Sequence, residues 1–262
     1  APTPKSGTQI GPENGISGGY QGSNPVIRRS MTAFSAIAWY NAIELIILVL
    51  VVFKKYSGLY FWSLLATSFS IIPYATGVFM KQNHVTDLEF LSITLSTIGW
   101  FIMVPGQSLV LYSRLHLVTQ NERLLRFILW LIIINSVVLC IPTGVLTYGS
   151  NTPSKDQFLH AYAIVEKTQM TIFSFQELFI SIVYLWEVRN ILRVVYEGGT
   201  RKVMWQLAAI NILIIILDVA LLLVEFLDYY QIETTMKGMI YSVKLKLEFG
   251  VLSKLVKVAT DK

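Results

Sequence analysis

Seven apolar stretches of about 20 residues each run through this chain of 262 residues. A helix rising about 1.5 Å per residue needs that length to cross a hydrocarbon core of roughly 30 Å. They lie near residues 32–53, 59–80, 91–113, 127–147, 168–188, 205–227 and 235–255. Inside them sit seven charges: Glu44, Glu177, Asp218, Glu225, Lys244, Lys246 and Glu248. Insertion scales place one charge at a bilayer centre at about 2.5–3.5 kcal/mol, so seven facing lipid would cost about 20 kcal/mol. Net stabilities of about 5–15 kcal/mol do not tolerate that. Most of these side chains must face inward, pair, or reach water.

Charged residues make up only 14% of the chain and apolar ones 54%, against roughly 25% charged in soluble domains. Alternating ten-residue strands are absent, which excludes a membrane barrel. The expectation is an all-α, polytopic membrane protein folded as a seven-helix transmembrane bundle over 31–258. A Gly/Ser/Pro-rich extracellular tail (1–30) precedes it and a short cytoplasmic tail (259–262) follows. The first apolar run begins only after about 30 polar residues, which reads as no cleavable signal peptide.

Lys and Arg number 21. Twelve fall between spans 1 and 2, 3 and 4, 5 and 6, and after span 7, against seven on the other side. The positive-inside rule then puts the N-terminus outside and the C-terminus in the cytoplasm, consistent with a plasma-membrane protein. Arg28 and Arg29, beside span 1, argue the other way. The lipid bilayer is the expected partner, and nucleic acid is not. The tail has too little apolar surface to order itself, so a second copy, another membrane protein or the 149–167 loop is expected to hold it.

Depth follows from spacing. Glu44, Glu177 and Lys244 fall about 12–18 Å from one surface, and Asp218 and Asn135 share that level. If spans pack in sequential order, Lys244 is within reach of Asp218, Glu44 or both. Asn211, Asp218 and Glu225 recur every seven residues, and Lys244 and Glu248 form an i,i+4 pair. Lys246 lies off that stripe and is expected to snorkel toward the interface. Arg114, at the cytoplasmic end of span 3, reads as a headgroup anchor with Glu248 or Glu122 within reach. Glu44, Asn135, Glu177, Asp218, Lys244 and Glu248 thus form a candidate ligand-binding or core polar layer. No metal or cofactor is implied, since His84, His116 and His160 are scattered. No catalytic residue is singled out.

The segments Gln107–Val118 (QSLVLYSRLHLV), Ile141–Gly149 (IPTGVLTYG), Glu166–Glu177 (EKTQMTIFSFQE) and Tyr241–Leu252 (YSVKLKLEFGVL) resemble a fungal family of integral membrane proteins of unknown function. That family is distantly similar to fungal rhodopsin-like, pathogenicity-associated receptors. The resemblance implies seven helices and a fungal source, with no catalytic residues to transfer. Three functions follow as expectations. The first is a receptor-like protein whose polar layer binds a small ligand. The second is a structural protein forming homo-oligomers. The third is a membrane-embedded terpene cyclase or isomerase using intramembrane carboxylates.

Overall fold

A computed structural model describes residues 25–53, 58–83, 89–119, 121–150, 155–194, 198–227 and 230–260. Each segment is built on one helix: α1 (Pro25–Val52), α2 (Leu59–Asn83), α3 (Glu89–Val118), α4 (Glu122–Gly149), α5 (Lys155–Val194), α6 (Gly198–Phe226) and α7 (Tyr230–Thr260). No strand occurs among the described residues. Among the described residues, six helices, α1–α6, are long and apolar enough to cross a membrane. α7 carries Lys237, Lys244, Lys246 and Glu248 close together, and its place in the bundle accounts for them. The chain is an all-helical, integral membrane protein.

Consecutive helices pack side by side and α7 closes against α1, so the seven form a ring. α3 and α7 also reach inward, α3 touching α5 and α7, and α7 touching α2. The end at which α1 begins is taken as upper. α2 and α3 approach most closely because glycine lines their seam. A Cβ on Gly77 would lie 2.5 Å from the Ser92 carbonyl oxygen, and one on Gly99 2.5 Å from the Tyr74 nitrogen. One on Gly106 would collide with the Thr67 hydroxyl. Ser63, Thr67 and Ser70, small residues of α2, are buried. Small residues bring backbones together where lipid offers no hydrophobic drive between helices. The helices continue through Pro73, Pro105 and Pro142.

One expectation on length changes. The first helix begins at Pro25, inside the segment read as tail, because proline at a first helical position has its φ preset and its missing N–H costs nothing. The rest of that tail, residues 1–24, lies outside the described residues, as do the short C-terminal tail's last two residues. α5 starts at Lys155, so the polar stretch before the apolar run at 168 is helical and continues into it. Outward, Trp62, Trp130, Trp186 and Trp205 are all exposed and lie within about 12 Å of the lower helix ends. Indole rings at one level form the belt expected at a membrane–water boundary.

Candidate functional site: a column of ion pairs along α7

Glu233, Lys237, Tyr241, Lys244 and Glu248 follow one another on α7 at steps of four, four, three and four residues. Those steps keep them on one face, and all five are buried. α6 runs antiparallel beside them with Asn211, Asp218 and Glu225, each two turns or about 10.5 Å from the next. α5 adds Glu166, Glu177 and Tyr184. Three polar levels result.

At the middle level the Lys244 ammonium donates to Glu177 Oε2 at 2.5 Å and to Asp218 Oδ1. The Tyr241 ring lies 4.6 Å from the same nitrogen. Lys244 is 0% exposed. Two carboxylates and a ring face satisfy a cation that the hydrocarbon would otherwise expel. At the lower level Arg114 is 1% exposed. Its guanidinium bridges to Glu248 at 3.0 Å, donates to Asn211 Oδ1 at 2.5 Å and stacks 4.2 Å over the Tyr184 ring. Arg114 is therefore no headgroup anchor: its side chain turns into the bundle, where a buried carboxylate outcompetes the interface.

At the upper level one ammonium serves three carboxylates. Lys237 lies 3.5 Å from Glu166, 3.6 Å from Glu225, and closer still to Glu233 one turn before it. Two of these contacts are beyond ordinary hydrogen-bond length, so the group is held more loosely than Lys244. Beside it opens a cavity of about 80 Å³, where one water needs roughly 10–15 Å³. Glu166 and Lys237 line it together with Tyr74, Trp100, Thr143 and Tyr162, so α2, α3, α4, α5 and α7 all contribute. Hydroxyl, amide and aromatic groups dominate the wall. The Thr143 hydroxyl donates to Gln169, another lining residue, and Tyr74 donates to the Thr234 carbonyl at 2.8 Å.

The expected polar layer is thus partly dispersed. Glu177, Asp218 and Lys244 meet, and Glu248 lies one turn below. Glu44 does not join them: it pairs with Lys246 at 2.5 Å, and Lys246 also donates to Asn41 Oδ1 at 2.9 Å. Lys246 consequently holds α1 rather than snorkelling, because two residues from Lys244 on a helix is about 200° around the axis. Asn135 stays outside the column too, donating to Gln176 Oε1 at 2.7 Å, with Gln176 donating to Ser108 Oγ at 2.9 Å. Lys237, Glu166 and Glu233 are the residues sequence reasoning missed. The seven-residue step from Lys237 to Lys244 and the i,i+4 pair Glu233–Lys237 were the available signals.

The family of proteins described as a domain of unknown function, DUF7703, matches residues 22–261, and the chain belongs to that family. No curated protein and no solved structure is significantly similar to the chain. Family membership supplies neither an organism nor a rhodopsin-type kinship, so that part of the resemblance stays an expectation.

Proposed function

We propose that this chain is a receptor-like membrane protein that binds a small polar ligand in the upper cavity. The observation carrying this reading is that Lys237 and Glu166, two members of the loosely held cluster, line the cavity. An ammonium with three carboxylate partners can exchange one of them for a ligand group without being left bare. Ligand occupancy would then bias the ion-pair column below, since Lys237, Lys244 and Glu248 share one rigid helix. The twelve-to-seven Lys/Arg asymmetry supports an outward-facing cavity and a plasma-membrane setting.

The test is thermal unfolding of the purified protein in lipid nanodiscs against a panel of small amines, amino acids and polyols. A ligand at about 100 times its Kd adds about 2.7 kcal/mol, a shift of several degrees. The reading expects at least one such shift, abolished by Glu166→Gln and retained in Glu44→Gln. A panel without any stabiliser, or a shift insensitive to Glu166, contradicts it.

A further inference from the structure

We propose that the outer α1–α7 face carrying Tyr40, Glu44 and Lys246 is the seam along which two copies of this chain associate inside the membrane. Elsewhere the outward surface is what lipid requires. The α4 face, for example, shows Phe127, Ile134, Val138, Ile141 and Val145. The α1–α7 face breaks that rule. Glu44 keeps 36% of its side chain exposed and Lys246 30%, and Tyr40, its ring 5.2 Å from the Lys246 nitrogen, is 66% exposed. These groups are not at a water boundary. Lys246 lies two residues from Lys244, whose partners Glu177 and Asp218 stand nine and thirteen residues, about 13 and 20 Å, above the belt residues Trp186 and Trp205 on their own helices. Ionised side chains at that depth almost always face protein or a water-filled cavity.

A second copy fits this patch for reasons of charge and shape. Acid and base lie side by side at one depth, as their 2.5 Å contact requires. A two-fold axis along the membrane normal keeps that depth and exchanges the lateral positions. Each Lys246 would then face the other copy's Glu44, a self-complementary surface of the isologous kind. The shape agrees. Gly250, one turn beyond Lys246, has open space where a Cβ would stand, and Ala33 and Ala36 are exposed along the same side of α1. Small residues let helices approach closely enough for such pairs to form.

The test uses a charge swap that keeps each copy's own pair. In E44K/K246E every copy retains one acid and one base, and two swapped copies remain complementary. A wild-type copy beside a swapped one would oppose acid to acid and base to base. Two differently labelled proteins, reconstituted at fixed protein-to-lipid ratio, are read by energy transfer. Wild-type pairs and swapped pairs should associate alike, and mixed pairs about tenfold less. In a Cys140→Ser background, Tyr40→Cys should crosslink between copies and Ile134→Cys, on α4, should not. Mixed pairs forming as readily as wild type, a monomer throughout, or equal crosslinking from Ile134→Cys would each overturn the proposal.

Discussion

Lys237 and Lys244 stand two turns apart on the same buried stripe of α7, yet their surroundings differ in kind. Lys244 is enclosed, with both carboxylate contacts short and an aromatic ring against it. Lys237 has one carboxylate more, two of its three contacts are long, and a cavity opens beside it. Identical chemistry on one helix therefore yields a sealed joint at one level and an adjustable one at the next. The difference comes from what α5 and α6 supply at each level and from where α2, α3 and α4 draw apart.

The comparison predicts unequal responses to the same substitution. Lys244→Met should cost about 3–5 kcal/mol, because it leaves two carboxylates facing each other in a dry interior. Lys237→Met should cost about 1–3 kcal/mol, since one of its carboxylates, Glu166, lines the cavity through which it can recover hydration. Unfolding in lipid bicelles measures both, and equal costs would break the distinction. A smaller effect sharpens it. Glu166→Gln should change stability by less than about 1 kcal/mol, because the amide still accepts from Lys237 and two carboxylates remain. A loss comparable to that of Lys244→Met would show that the upper level is as rigid as the middle one.

Much of the bundle was legible in the sequence because apolar length and charge spacing are local properties. The seven-residue recurrence of Asn211, Asp218 and Glu225 marked one face of α6, and depth arithmetic brought Glu177, Asp218 and Lys244 to a common level. Rotation about each helix axis was not legible. It decides that Glu44 meets Lys246 rather than Lys244, and that Arg114, of the two partners within its reach, Glu248 and Glu122, turns inward to Glu248. Lys237 falls only two residues into the apolar run begun at 235, where topology rules expect flanking lysines, so it reads as a loop-side charge. The cavity leaves no trace in any single segment, since five helices form its wall.

Access from water separates the two levels most directly. In a Cys140→Ser background, Thr97→Cys places a thiol on the cavity wall, and Ser181→Cys places one in the fully buried region one turn from Glu177. Reaction with a small water-soluble thiol reagent, in nanodiscs, gives a rate for each. A cavity that serves a polar ligand predicts that the Thr97 position reacts at least about tenfold faster than the Ser181 position, the factor that about 1.4 kcal/mol of difference in access produces. Equal rates, or faster reaction at Ser181, would contradict it.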